Sequence, residues 1–251
     1  MGSITKVMTA YVVLKAGHLN RVITVPNAIL AYDKKFDAST AGLHPGEKLT
    51  ALQLLYAMLL PSGCDAAFTL AVAYGPGRSA FIAKMNAAAK ALRLSKTVFS
   101  DSAGLPDPGP YTTESTARDL IGLGRDAMRI ALFRQIVVTR SYHVASGAGH
   151  NAHTWKNGNQ LLAKYPGAIG IKPGFTNAAG QCLLFAATRN GRTLIGVVLF
   201  STASISDYTA TVRDATHLLD WGFAHPAGAA AASRTLCQVP LRSRAAEVAR
   251  G

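Results

Sequence analysis

Three strand-like runs stand close together late in the chain, at residues 168–172, 181–188 and 193–200. The last two are joined by Arg189-Asn190-Gly191-Arg192, and Asn-Gly between two apolar runs is a strong hairpin signal. Almost everything upstream reads as helix or loop. Helices followed by adjacent antiparallel strands restrict the chain to an α+β fold. We expect one domain over residues 1–224, an antiparallel sheet flanked by helices, with a large helical insertion. The helical part covers about 17–150, and the sheet part covers 1–16 and 151–224. A cleft is expected where the two parts meet. Residues 225–251 are rich in Ala, Gly, Ser and Arg and read as a low-complexity basic tail.

The helices have recognisable ends. Residues 3–16 form one predicted helix, stopped by Gly17. Residues 21–26 are extended, and 37–49 read as loop around His44-Pro45-Gly46. Thr50 is a candidate N-cap for a helix with Leu52, Leu55, Tyr56 and Leu59 on one face, ended by Pro61. Further helices are predicted at 65–73, 79–92, from Thr112 or Thr113 to about 127, at 130–137 and at 206–223. Residues 99–111 read as loop and 140–144 as a strand.

With 49% hydrophobic and 16% charged residues, the chain can bury a sizeable core. A net charge of +13 would suit an anionic partner. The basic residues are scattered, however, without the Lys/Arg clusters and interleaved aromatics of a nucleic-acid binder. No apolar run has the length of a membrane span. The stretch from Val7 to Leu14 is too short for a secretory leader and is interrupted by Lys15, so it reads as folded helix. Cys64, Cys182 and Cys237 are odd in number and far apart, which argues against a disulfide framework or a metal site.

Ser3-Ile4-Thr5-Lys6 opens the first helix. Residues three apart meet on a helix face, and a hydroxyl beside an amine is a plausible nucleophile and base. The helix start also favours developing negative charge. Two further signals follow in order, Ser62-Gly63-Cys64 and Lys172-Pro173-Gly174. Together with Leu60-Pro61-Ser62-Gly63-Cys64-Asp65-Ala66-Ala67, the run from Gly170 to Gly180 and the closing Leu218-Leu219-Asp220-Trp221-Gly222-Phe223, the chain resembles the penicillin-binding serine D-alanyl-D-alanine carboxypeptidases over about residues 1–224.

That resemblance implies a β-lactamase/DD-peptidase-like fold and an acyl-enzyme on Ser3. Lys6 would be the base, and Ser62 would hydrogen-bond Lys6 and pass its proton to the leaving D-alanine. A neutral Lys6 amine would require burial and a neighbouring cation, for which Lys172 is the candidate. Cys64, Lys172, Gly174, Phe175 and Thr176 would bind substrate. The N–H groups of Ser3 and Phe175 would hold the oxyanion, and the Lys172 charge would attract the terminal carboxylate. The implied partners are peptidoglycan pentapeptide and β-lactams, outside the cytoplasm, with no cofactor. A catalytically impaired relative or a DD-transpeptidase is the alternative. A class A β-lactamase would need a glutamate between the second and third signals. Glu114, the one candidate, reads as a first-turn acid of the helix that follows.

The chain also departs from the family. Pro173 stands where Thr is usual, which deletes a hydroxyl expected on the substrate carboxylate. Ile169 stands where an acid is common, and Cys64 where Asn is usual. Two sheet strands and a leader are expected upstream of the nucleophile, so the N-terminal strands are read as missing and a sheet edge as unpaired. The expectation is a longer native product and poor folding of the sequence as written. A short form that is a soluble monomer, melting with the long one, would contradict it.

Overall fold

A computed structural model describes residues 1–107, 109, 113–207 and 209–225. A 3-10 turn, Gly2–Thr5, leads into α1 (Lys6–Ala16), which ends at Gly17 in a left-handed conformation. After β1 (Val22–Thr24) come α2 (Ala28–Phe36), β2 (Lys48–Thr50), α3 (Ala51–Leu59), α4 (Cys64–Tyr74) and α5 (Arg78–Ala91). Next are α6 (Ala117–Met128), α7 (Ala131–Val138), β3 (Ser141–Val144), β4 (His153–Lys156) and the single-turn α8 (Leu161–Lys164). The chain finishes with β5 (Ala168–Gly174), β6 (Cys182–Arg189), β7 (Arg192–Val198) and α9 (Ala210–Ala224).

The strands β5-β6-β7 form one antiparallel sheet in that order, with Asn190 and Gly191 both at positive φ in the hairpin. Both central residues at positive φ give the turn whose twist matches the strands. Each face of the sheet is covered. Ile171, Leu184 and Ala186 join a large core built from α1 and the helices around it. Leu183, Phe185 and Ala187 join a smaller core with Leu161, Val212 and Leu219 from α8 and α9. Alternation along β6 sends neighbouring side chains into different cores.

Thr50 caps α3 in a reciprocal capping box with Gln53, its hydroxyl accepting from the Gln53 N–H at 3.2 Å. Thr50→Ala is expected to cost about 1 kcal/mol in urea unfolding.

Several expectations are corrected. The nucleophile segment is not helical from its start, because Ser3 lies in the 3-10 turn and Lys6 begins α1. Helix α2 has no counterpart in the sequence reading. Residues 48 and 49, read as loop, form β2 with the capping Thr50 and pair with β1, and residues 153–156, for which no strand was expected, pair as β4 with β3. The cap of α6 is Thr116, whose hydroxyl accepts from the Asp119 N–H. Thr113 instead bonds Ser100, and Thr112 lies outside the described residues. Glu114 is therefore not a first-turn acid. It pairs with Val98 through two backbone bonds of 3.0 Å. The basic tail and Cys237 lie outside the described residues as well.

Candidate active site

Lys6 is fully buried, which is costly for an amine unless its donors are used. Its Nζ lies 2.7 Å from Ser3 Oγ, 3.3 Å from Cys64 Sγ and 3.2 Å from the Ala103 carbonyl oxygen. The 3-10 turn contributes directly here, because residues three apart eclipse in that geometry and bring Ser3 over Lys6.

Ser62-Gly63-Cys64 links α3 to α4, and the structure holds it from several sides. Ser62 has φ +70°, a left-handed conformation that is uncommon for a residue with a side chain. The Ser39 hydroxyl donates to the Ser62 carbonyl at 2.8 Å, and the Cys64 N–H donates to the Ser39 carbonyl at 2.8 Å. The buried Asp65 carboxylate accepts from the Ala41, Leu43 and Ala66 N–H groups at 2.8–3.0 Å. Residues 39–43 thus form a brace around the motif. Burial pushes the Asp65 carboxyl above its ordinary range despite those donors. Nearby Asp33 is pushed up to about 6, chiefly by burial and then by Asp65. Removing three buried acceptor contacts, Asp65→Ala is expected to destabilise the protein by about 2–4 kcal/mol in denaturant unfolding.

The expected bond between Ser62 and Lys6 is not formed. The Ser62 hydroxyl makes no hydrogen bond to a described residue, and Cys64 occupies that position on Lys6 instead.

Strand β5 brings Lys172 to the same place. Lys172 is 1% exposed, and its Nζ donates to the Pro173 carbonyl at 3.3 Å. Burial, reinforced by repulsion from Lys6 and opposed by Cys64, holds its amine well below the ordinary lysine range. Lys172 therefore holds its proton less firmly than a lysine in water.

Gly174 follows because no side chain fits. A Cβ there would stand 2.6 Å from the Met1 carbonyl oxygen and 3.0 Å from the backbone nitrogens of Ser3 and Ile4. Gly2, at φ +51°, likewise has no room for a Cβ, which would lie 2.9 Å from the Phe175 nitrogen. The end of β5 and the Ser3 turn are therefore in direct backbone contact, and the Ser3 and Phe175 nitrogens belong to adjoining segments. If Ser3 is the nucleophile that the resemblance implies, Gly174→Ala is expected to displace the Ser3 turn by a few tenths of an ångström and slow acylation about tenfold, read by labelling kinetics with a fluorescent penicillin.

Thr176 closes the turn that follows β5. Its hydroxyl accepts from the Ala179 N–H at 3.0 Å, and its carbonyl accepts from Ala179 and Gly180.

Two departures noted in the sequence acquire places. Pro173 is on β5, an outer strand of the described sheet, the kind of strand on which proline is tolerated. Its register partner is Leu183, and it lines a cavity of about 30 Å³ with Asn159, Gln181, Leu183 and Thr211. Ile169 lies beside α7, where it lines a surface groove with Ala131, Arg134 and Val138.

Three contributors were absent from the sequence reading: the Ala103 carbonyl, the Asp65 carboxylate and the brace at residues 39–43. A carbonyl that reaches Lys6 from 97 positions away leaves no local signature.

The profile of the D-alanyl-D-alanine carboxypeptidase family (peptidase S11) matches residues 1–202. Among curated proteins, the chain is 43% identical over 235 residues to a D-alanyl-D-alanine carboxypeptidase of Streptomyces sp. strain K15, covering 89% of this chain and 78% of the relative. It is 39% identical over 222 residues to D-alanyl-D-alanine carboxypeptidase DacB2 of Mycobacterium tuberculosis, covering 88% and 73%. Among solved structures, the Streptomyces K15 DD-transpeptidase superposes with a TM-score of 0.82 at 43% identity, covering 89% of this chain and 87% of that one.

Proposed function

Because the chain belongs to the D-alanyl-D-alanine carboxypeptidase family, we propose that it is a serine peptidase cleaving the terminal D-alanyl-D-alanine bond of peptidoglycan stem pentapeptides through an acyl-enzyme on Ser3. The observation that carries this reading is the 2.7 Å contact between Ser3 Oγ and the buried Lys6 amine. Lys6 takes the Ser3 proton as Oγ attacks the penultimate carbonyl. The N–H groups of Ser3 and Phe175 are the donors for the resulting oxyanion. The C–N bond then breaks, and the proton moves from Lys6 to the leaving D-alanine nitrogen. Water cleaves the ester in the same way and regenerates Ser3.

With Cys64 on Lys6 and no hydrogen bond from the Ser62 hydroxyl to a described residue, the relay to the leaving group runs through Lys6 directly or after a rotation of Ser62. The thiol is a weak hydrogen-bonding group, so Cys64 constrains the amine less firmly than a carboxamide would. Cys64, Lys172, Gly174, Phe175 and Thr176 frame the substrate groove. A peptide amine replacing water would make the same site a transpeptidase. The Streptomyces K15 relative is named a carboxypeptidase in one case and a transpeptidase in another.

A peptidoglycan substrate supports a site of action at the cell wall, outside the cytoplasm. Among the described residues, no helix is long and apolar enough to cross a membrane.

The test uses a diacetyl-lysyl-D-alanyl-D-alanine peptide and benzylpenicillin. Stoichiometric D-alanine release, together with a single penicilloyl adduct on the peptide containing Ser3 in intact and digested mass spectra, is the expected result. D-alanine released without any adduct would remove the Ser3 mechanism, and an adduct without release would favour the impaired relative.

A further inference from the structure

We propose that Asp101 is a positioning residue of this site, setting the orientation of the Lys6 amine through the carbonyl of Ala103. The proposal rests on the reading of Ser3 as nucleophile and Lys6 as its base.

Asp101 has no exposed surface, yet its carboxylate is fully employed. One oxygen, Oδ1, accepts from the backbone N–H groups of Ala103 at 2.7 Å, Gly104 at 2.8 Å and Leu105 at 3.0 Å. The other, Oδ2, accepts from the Tyr32 hydroxyl at 2.7 Å and from Arg78 at 3.1 Å. The guanidinium of Arg78 also lies 4.9 Å from the ring centres of Tyr32 and Phe68 and pairs with Asp107. A charge held by five donors in the interior can be retained without leaving an orphan group. The three converging N–H groups fold residues 101–105 into one turn, and that turn presents the Ala103 carbonyl to Lys6 at 3.2 Å.

The carbonyl matters because of what an amine acting as the base of that reading has to offer. It carries two N–H donors and one lone pair. Lys6 Nζ has three neighbours, and the Ala103 oxygen can only accept. It therefore takes one N–H. Cys64 Sγ, a weak acceptor, takes the other. The lone pair is left pointing at Ser3 Oγ, 2.7 Å away, which is the arrangement needed to receive the hydroxyl proton. Without the Ala103 oxygen the amine can rotate about its terminal bond, and the lone pair loses its alignment. Thr9 reinforces the placement by donating to the neighbouring Ser102 carbonyl at 2.6 Å.

The experiment measures acylation by benzylpenicillin, separating the non-covalent binding constant from the acylation rate. Asp101→Ala is expected to slow acylation about 10- to 100-fold with binding unchanged to within about threefold. Asp101→Asn retains an oxygen for the three N–H groups and should restore the rate to within about fivefold of the unsubstituted protein. The proposal is overturned if Asp101→Ala acylates at the original rate, if its defect lies in binding, or if Asp101→Asn is as slow as Asp101→Ala. Should Asp101→Ala fail to fold, Tyr32→Phe decides. Loss of one Asp101 partner should slow acylation about two- to fivefold with binding unchanged, and no slowing counts against the role. Absence of any adduct in the unsubstituted protein would instead sink the Ser3 reading itself.

Discussion

Ser3→Ala should leave no covalent penicillin adduct, and Lys6→Met should lower the acylation rate on the order of 10⁴–10⁶-fold with the fold intact. Both residues belong to one unit, so removing either should cost nearly as much as removing both. Ser3 is partly exposed and its replacement by Ala deletes a single oxygen, so stability should barely change. Lys6→Met replaces a fully buried amine by an apolar chain of similar length. It leaves the Ala103 carbonyl without a donor, at a cost of about 1–3 kcal/mol, offset by the relief of burying an amine. Thermal unfolding checks that the variants are folded, and mass spectra under excess penicillin check the chemistry. A Ser3→Ala protein that still acquires the adduct would place the nucleophile elsewhere. By contrast, Cys64→Ala should slow acylation by only about tenfold or less, because the thiol supplies one weak contact to Lys6. A loss as large as that of Lys6→Met would instead make the thiol part of the chemistry.

What could be read from the sequence follows from how local each signal is. Ser3 and Lys6 are three residues apart, and their contact is set by one turn of backbone. The β6–β7 hairpin is set by Asn190-Gly191, and α3 by Thr50 and Gln53, all within short spans. Helix α2 offered less. Ile29 and Tyr32 are its only buried residues, Leu30 is exposed, and Asn27 makes no capping bond. Its stability comes from Tyr32 reaching Asp101 and packing on Phe68, both distant in sequence. The three-residue strands β1 and β2 are likewise too short to show a period and form only by pairing between distant stretches, Val22 against Thr50 at one end through Thr24 against Lys48 at the other. The site shows the same division. Its motifs were visible, while the left-handed backbone at Ser62 and the Cys64 contact with Lys6 leave no mark that a serine or a cysteine advertises.

Lys172→Met should stabilise the protein, by about 1–4 kcal/mol near pH 6, while disabling substrate turnover. The stabilisation should shrink as pH rises. Lys172 is buried and donates only to the Pro173 carbonyl among the described residues, and the Lys6 amine lies nearby. Its folded-state pKa is depressed, whereas in the unfolded chain it returns to about 10.4. Between those two values the unfolded chain holds one proton more than the folded protein, so folding stability rises with pH there, by about 1.4 kcal/mol per unit at most. The contribution is fully present above the unfolded value and is lost as pH falls through the folded one. Methionine removes the proton and with it the slope. Urea unfolding of both proteins from pH 6 to pH 10 reads the effect as two lines converging toward high pH. Parallel lines would mean that Lys172 keeps an ordinary charge in the folded protein, which its burial beside Lys6 argues against. The same depressed amine bears on catalysis. A bound substrate carboxylate would raise the proton affinity of this depressed amine, so substrate binding should be accompanied by proton uptake in a weakly buffered solution at pH values above the free-protein pKa.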